Sequence, residues 1–389
     1  MKLYLTALLV GFSIFAFGQN KLVGTITDPH QKPIEGATIT IPELHKETVS
    51  DADGSFTFNN LPDGNFSITF SSIGYTNKTL TVSLSQNETT VTAVLDETST
   101  HMDELIVSTV FNKVQSQNVI KVEHQSVKAL QQKGAATLVE GLSTIPGVSQ
   151  ISTGTAIGKP VIRGLSGNRV LVYTQGIRLE NQQFGDEHGL GMSDAGVESV
   201  EVIKGPASLL YGSDALGGVL YFNPEKFAAP ESFRGNFNQK LFSNTQGSNS
   251  SFGIKTSTDH WKFLTRASYA THADYKVPSG DRITNTRFIE KDYKIGIGYS
   301  DVHYQTEFRY NYNNLNIGLP EEELEPANFR TPLYPKQDID NHMLSWHQKY
   351  FFKNSKLEAD LGYTHNNRKE LEAADEVALH MKLKTASYN

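Results

Sequence analysis

The sequence predicts a mainly β chain in three parts: an N-terminal β-sandwich, an α+β domain and a partial transmembrane antiparallel β-barrel. Three observations carry this. Residues 21–96 alternate short apolar runs with turn residues and show no helical period. Residues 126–222 interrupt that texture with helical spacing, then return to strands. From Ser232 onward the period is two, over long aromatic-rich stretches.

Composition narrows the classes. The chain has 389 residues, 38% hydrophobic and 20% charged, which suits folded domains. Its formal net charge is -7 and no Lys/Arg-rich run is present, so nucleic acid is not an expected partner. There is no cysteine, which excludes disulfides, a lipid-bearing cysteine and thiolate metal sites. Met1-Lys2 is followed by an apolar run from Leu3 to Phe17, broken only by Thr6, Gly11 and Ser13. That is short of the ~20 residues of a spanning helix. With small residues at Ala16 and Gly18, residues 1–18 read as a signal peptide cut after Gly18. No later stretch is apolar enough for a spanning helix, so any membrane crossing must use strands.

Residues 19–98 form the predicted sandwich of about seven strands. Val23, Thr25 and Thr27 alternate, and Pro33 with Glu35-Gly36 marks a turn before Ala37 to Ile41. Asp51-Ala52-Asp53-Gly54 turns into Phe56 and Phe58, and Pro62-Asp63-Gly64 into Phe66, Ile68 and Phe70. Thr79 to Leu84 and Thr89 to Leu95 complete the set. Asp51 and Asp53 lack the third ligand position and distal Glu of a calcium loop, so turn chemistry is the reading. His101 and Glu104 have an H-x-x-E zinc spacing, but in a linker without a third ligand.

On Val23-Gly24-Thr25-Ile26, Pro33 to Ala37, Thr48 to Asp53, Gly54-Ser55-Phe56 and Ser72 to Tyr75, this segment resembles the carboxypeptidase-regulatory-like domain of Bacteroidetes surface proteins.

Residues 99–114 read as a linker and residues 115–226 as the α+β domain. Val127, Leu130, Leu138 and Leu142 have helical spacing, with Gly134 dividing two short helices and Pro146-Gly147 ending them. A hairpin is expected around Gln175-Gly176, a strand at Val200 to Lys204, a helical turn at Ser208 to Tyr211 and a strand at Val219 to Phe222. Gly154 to Lys159 imitates a phosphate loop, but has one residue too few between its glycines, and Pro160 replaces the required Ser or Thr.

Thr144 to Val148, Ile162-Arg163-Gly164, Arg169 to Val172, Gln175 to Arg178, Val200 to Ser208 and Leu210 to Val219 together resemble the plug domain of TonB-dependent outer-membrane receptors, in that family's order. The resemblance implies that Arg163, Gly164, Glu201, Lys204, Gly205 and Pro206 are architectural, with Arg163, Glu201 and Lys204 making buried polar contacts to a barrel wall. It also implies that Asp103, Glu104, Leu105, Ile106, Val107 and Ser108 are a TonB box, lending a strand to the periplasmic transducer. Gln183, Asp186, Glu187 and His188, in a Gly-flanked polar loop, are the candidates to ligate a metal or hydrogen-bond a chelate; the alternative is a loop that seals the plug apex.

Residues 227–389 read as barrel. Trp261, Phe263, Ala267 and Tyr269, then Tyr293, Ile295, Ile297 and Tyr299, then Tyr304 to Tyr312, and Leu357 to Tyr363 each alternate with polar or small residues. Short turns are expected near 257–260, 300–302 and 353–355, a shorter connection near 244–249, and long ones at 271–290 and 316–338. About eight strands result, too few to enclose such a plug; the family's barrel has about 22. The chain is therefore expected to stop before the end of the full receptor.

The resemblance implies energy-coupled uptake of a scarce ligand, most often a ferric siderophore, with free metal or its chelate, haem, cobalamin or a glycan as alternatives. The implied partners are the TonB-ExbB-ExbD complex and outer-membrane lipid. No enzyme activity and no resident cofactor are expected. The rival readings are a structural or adhesive surface protein and a peptidase-associated protein. The implied location is the outer membrane, with the sandwich and TonB box in the periplasm.

Overall fold

The computed structural model describes residues 20–44, 46–72, 75–85, 88–96, 105–106, 113–114, 122–180, 188–301, 303–321, 324–352 and 355–388. The expected signal peptide lies outside the described residues. The chain forms two compact units, one holding the sandwich and the other the central domain and the long strands.

The sandwich has seven strands: β1 (Asn20–Thr27), β2 (Thr38–Ile41), β3 (Lys46–Val49), β4 (Ser55–Leu61), β5 (Gly64–Ser71), β6 (Lys78–Leu84) and β7 (Glu88–Val94). Two sheets, in orders β4-β1-β7 and β3-β2-β5-β6, face each other. Strand alternation sends Leu22, Ile26, Ile39, Ile41, Phe56, Phe58, Phe66, Ile68 and Phe70 into one core. Gly24 is required where β1 meets β7, since a Cβ there would lie 2.2 Å from the Val91 carbonyl oxygen. At the turn into β4, Asp51 Oδ1 accepts from the amides of Asp53 (3.1 Å) and Ser55 (2.8 Å), and Oδ2 from Ser55 Oγ (2.6 Å). The hydrogen bonds from Ser55 hold this carboxyl below the usual range. Its oxygens thus serve the turn.

The second unit begins with a two-residue antiparallel ladder between β8 (Leu105–Ile106) and β9 (Lys113–Val114). The central domain follows: β10 (Val122–Ser126), α1 (Val127–Gln132), α2 (Leu138–Leu142), β11 (Val148–Ser152), β12 (Gly158–Ile162), β13 (Val170–Thr174), β14 (Ile177–Leu179), β15 (Val197–Ile203), a 3-10 turn (Gly205–Tyr211) and β16 (Gly218–Pro224). Ser126 and Thr137 cap the helices by accepting from the amides of Ala129 and Glu140. A five-stranded sheet runs β10-β15-β16-β13-β14, with β13 and β16 parallel. The helices pack on it through Val127, Leu130, Leu138 and Leu142 against Val200, Val202, Leu220 and Phe222. Each such side chain contributes about 1.5–3 kcal/mol by burial.

Eight long strands form one antiparallel meander: β17 (Ser232–Phe242), β18 (Gly247–Ser257), β19 (Trp261–His272), β20 (Phe288–Ser300), β21 (Tyr304–Gly318), β22 (Lys336–Phe351), β23 (Lys356–Leu371) and β24 (Val377–Tyr388). Connections 258–260, 301–303 and 352–355 lie at the end where the chain enters from the central domain, here the proximal end. Connections 243–246, 273–287, 319–335 and 372–376 lie at the distal end. One face meets the central domain. The other exposes Phe233, Phe237, Phe252, Trp261, Phe263, Tyr269, Tyr293, Ile297, Phe308, Trp346, Leu357, Leu361 and Tyr363. A water-soluble surface does not carry an apolar field of that extent, whereas a barrel wall facing hydrocarbon does. Among the described residues no helix is long and apolar enough to cross a membrane.

Candidate functional site

The polar face of the long strands and the central domain form a continuous seam. At its proximal end Glu225, just after β16, accepts a bidentate pair from Arg266 of β19: Nε to Oε2 at 2.7 Å and Nη2 to Oε1 at 2.9 Å. Lys255 Nζ stands 3.2 Å from the same carboxylate, and Arg309 Nη1 donates to the Glu225 carbonyl at 3.0 Å. Burial pushes the Glu225 carboxyl up, but Arg266 and Lys255 outweigh it and hold it below its ordinary value.

In the middle of the seam, Asp194 Oδ2 accepts from Lys240 Nζ (2.7 Å) and from Gln131 Nε2 (2.8 Å). Lys294 Nζ donates to the Ala195 carbonyl. Gly196, with φ +67°, leaves space where a Cβ would stand 3.1 Å from Lys294 Cδ. The segment Ser193 to Gly196 is thus a polar latch between α1 and the strands. Sequence reasoning missed it; its turn-like Ser-Asp-Ala-Gly composition was the available signal.

The central domain also presents the β13–β14 hairpin to β22 and β23, where Gly176 faces His347 and Ile177 faces Gly362. Gln175 and Gly176 both have positive φ (53° and 74°), the two-residue turn that right-handed strand twist favours. Ser345 Oγ of β22 donates to Gln175 Oε1 at 2.7 Å, and Asn341 Nδ2 donates to the Gly191 carbonyl at 3.2 Å. Between hairpin and strands lies a space of about 760 Å³, including its open mouth, lined in part by Gln175, Glu180, Met192, Asn313, Asn341 and Asn366.

Of the expected cargo residues, Gln183, Asp186 and Glu187 lie outside the described residues. His188 is buried, with Nε2 3.0 Å from Glu370 Oε1 of β23. Burial and the Arg368 guanidinium lower its pKa, against the opposing effect of Glu370. The imidazole is therefore neutral at physiological pH and donates from Nε2. Because the folded value lies below the unfolded one, the stability linked to His188 is complete above the unfolded pKa of about 6.5 and is lost as pH falls towards the lowered folded value. Thermal unfolding of the complete protein between pH 7.5 and pH 5 is expected to show this loss. His188→Gln, which keeps a donor but cannot titrate, is expected to flatten the profile; an unchanged profile would refute the assignment.

The expected architectural residues divide. Arg163 and Gly164 (φ 55° and 78°) close a tight turn between Ile162 and Leu165. Arg163 is exposed, and its guanidinium covers Gly205, where a Cβ would lie 3.4 Å from Nη2. Gly205 has φ +77° and opens the 3-10 turn with Pro206. Glu201 is fully buried and accepts from Asn223 Nδ2 at 2.8 Å; Lys204 Nζ donates to the Pro146 carbonyl at 2.7 Å. These partners all belong to the central domain itself. These contacts of Arg163, Glu201 and Lys204 lie within the central domain, while Asp194, Glu225 and Gln175 meet the eight strands. Of the expected TonB box, Asp103, Glu104, Val107 and Ser108 lie outside the described residues, while Leu105 and Ile106 pair with Val114 and Lys113.

The two long distal connections are tied to each other. Asp274 and Arg287 form a fully buried ion pair, with Arg287 Nε 3.0 Å from Asp274 Oδ1. Asp274 Oδ2 also accepts from the Ala327 amide at 3.1 Å. Asn285 Nδ2 donates to the carbonyls of Leu319, Leu333 and Pro335, and its Oδ1 accepts from the Leu333 amide. No sequence motif marked these residues.

Comparison with known proteins agrees with this geometry. Residues 22–107 match the CarboxypepD_reg-like domain, and residues 114–219 match the TonB-dependent receptor plug domain. The chain is 30% identical over 128 residues to the vitamin B12 transporter BtuB of Vibrio vulnificus, covering 32% of this chain and 21% of that protein. It is 35% identical over 140 residues to the heme/hemopexin utilization protein C of Haemophilus influenzae, covering 36% and 19%. The fold superposes on the ferric yersiniabactin uptake receptor FyuA from Yersinia pestis with a TM-score of 0.53 at 14% identity, over 70% of this chain and 45% of that one. The chain thus spans about a fifth of the length of these curated relatives.

Proposed function

From a chain whose residues 22–107 are a CarboxypepD_reg-like domain and whose residues 114–219 are a TonB-dependent receptor plug, we propose that it is the N-terminal part of an outer-membrane receptor for TonB-dependent uptake. The observation that carries this reading is a plug latched by Asp194 and Glu225 to the polar face of strands whose other face is apolar and aromatic. The plug blocks the lumen at rest. Cargo binds from the distal side, at the connections and plug apex, with Gln183, Asp186, Glu187 and His188 as contacts. Pull on Asp103 to Ser108 by TonB-ExbB-ExbD then loosens the latch and admits the cargo. Arg163, Gly164, Glu201, Lys204, Gly205 and Pro206 keep the plug in shape during the cycle. The sandwich and box lie in the periplasm. No bond of the cargo is broken.

For the cargo, a ferric siderophore is the reading, with haem and cobalamin, named for the relatives above, as competitors. The test has two parts. The complete receptor should fractionate with outer membranes and resist carbonate extraction; recovery as a soluble protein would sink the barrel reading. Intact cells should then take up one labelled member of a panel of ferric siderophores, haem and cobalamin. Triple alanine replacement of Asp186, Glu187 and His188 should weaken its binding roughly tenfold or more, the effect of losing one or two charge-assisted hydrogen bonds. Unchanged affinity at normal surface expression would make the loop a seal.

A further inference from the structure

A guanidinium binds a carboxylate best through two parallel N–H bonds. Arg266 and Arg287 both do so with Nε and Nη2, to Glu225 and to Asp274. Arg368 of β23 does not. It is fully buried, yet its Nε and Nη2 have no hydrogen-bond partner among the described residues. Its Nη1 donates to Gln337 Oε1 of β22 at 2.9 Å. Because β23 has ladder partners on both sides, the open bonds of Arg368 do not belong to a sheet edge.

A carboxylate stands close by. Glu370 follows two residues later on the same inward face of β23, about 6.7 Å along the strand. The Gln337 side chain touches both residues, since its Nε2 donates to Glu370 Oε1 at 3.2 Å. The same oxygen accepts from His188 Nε2 of the plug at 3.0 Å. The plug histidine and the Gln337 amide thus occupy Glu370 in place of the arginine. A buried cation with two unmade bonds costs free energy, and a turn of Glu370 towards it recovers that cost.

We propose that Glu370 is a two-position switch, paired with His188 while the plug is held and with Arg368 once it is released. The unmade bonds of Arg368 favour the exchange of partners, and the His188 bond opposes it. Cargo that engages the residues just before His188 tips this balance. That last step rests on the uptake reading above; the exchange of partners does not.

The test is amide exchange in the complete receptor without cargo, read at Gly189 and Leu190. The Leu190 amide donates to the Gly158 carbonyl at 3.0 Å, so it reports opening beside His188. Arg368→Met removes the alternative partner and the unpaired charge. The released position then loses its bond, and exchange should slow roughly tenfold, the effect of one charge-assisted hydrogen bond. A guanidinium that only supports the seam through Gln337 gives the opposite sign, faster exchange. Arg368→Gln, also uncharged, should slow exchange as Arg368→Met does. Arg368→Lys keeps a cation within reach of Glu370 and should stay near the wild-type rate. Faster or unchanged exchange in the two uncharged variants, or equal slowing in Arg368→Lys, would overturn the switch. Uptake is read separately. A wild type that takes up no member of the cargo panel sinks the uptake reading, while the exchange rates still decide the switch.

Discussion

Ile106→Pro is expected to reduce energy-coupled uptake by the complete receptor to background while cargo binding stays at the wild-type level. Strand addition to a transducer relies on backbone donors. Proline removes one donor and fixes φ, so the bond at 106 and its neighbour are lost or distorted. At about 1 kcal/mol each, two such bonds weaken a short pairing tenfold or more. Ile106→Val keeps the donor and the β-branched shape and should transport normally. The structure adds a control, because Ile106 pairs with Lys113. Lys113→Pro breaks that local ladder alone, so it should spare uptake. Labelled cargo in intact cells is the measurement. Normal uptake by Ile106→Pro would place the box elsewhere; loss of uptake in both proline variants would point to the ladder itself.

The second large effect is expected at Asp274. Asp274→Ala leaves the Arg287 guanidinium buried without its counter-charge and deprives the amides of Thr286 and Ala327 of an acceptor. Removing one partner of a buried pair costs about 3–5 kcal/mol. The strands retain their own ladders, so the loss should appear as local opening of connections 273–287 and 319–335. Amide exchange there should accelerate at least ~100-fold, with faster proteolysis. The double variant Asp274→Ala/Arg287→Met, which removes the orphaned charge, should recover much of the protection. Unchanged exchange in Asp274→Ala would show that the ion pair does not hold the connections. If these connections carry cargo contacts, binding should weaken in the single variant and recover in the double.

The elements of this chain were legible because their signals are local. Gly134 and the spacing of Val127, Leu130, Leu138 and Leu142 placed two short helices, and the caps Ser126 and Thr137 lie beside them. Gln175-Gly176 placed a hairpin because that turn needs positive φ at both positions. Period-two alternation gave the eight strands and assigned their faces, since a one-residue slip would reverse every side chain. By contrast β3, with the sequence Lys-Glu-Thr-Val, and the edge strand β10 carried too few apolar residues to stand out.

The order of parts, the turn chemistry and the division of each long strand into a polar and an apolar face can all be read from the residue pattern. These depend on residues within a few positions of one another. The sheet order β10-β15-β16-β13-β14, with its parallel β13–β16 pair between strands far apart in the chain, emerges from long-range packing. The same packing sets which polar side chains meet: Asp194 with Lys240, Glu225 with Arg266, Asp274 with Arg287. A carboxylate in a sequence carries no mark of its partner, because burial and distance set the strength of a charge pair, and both come from packing between distant segments. For the same reason Arg163, Glu201 and Lys204 were legible as a motif, while their neighbours Gly205, Asn223 and Pro146 were not.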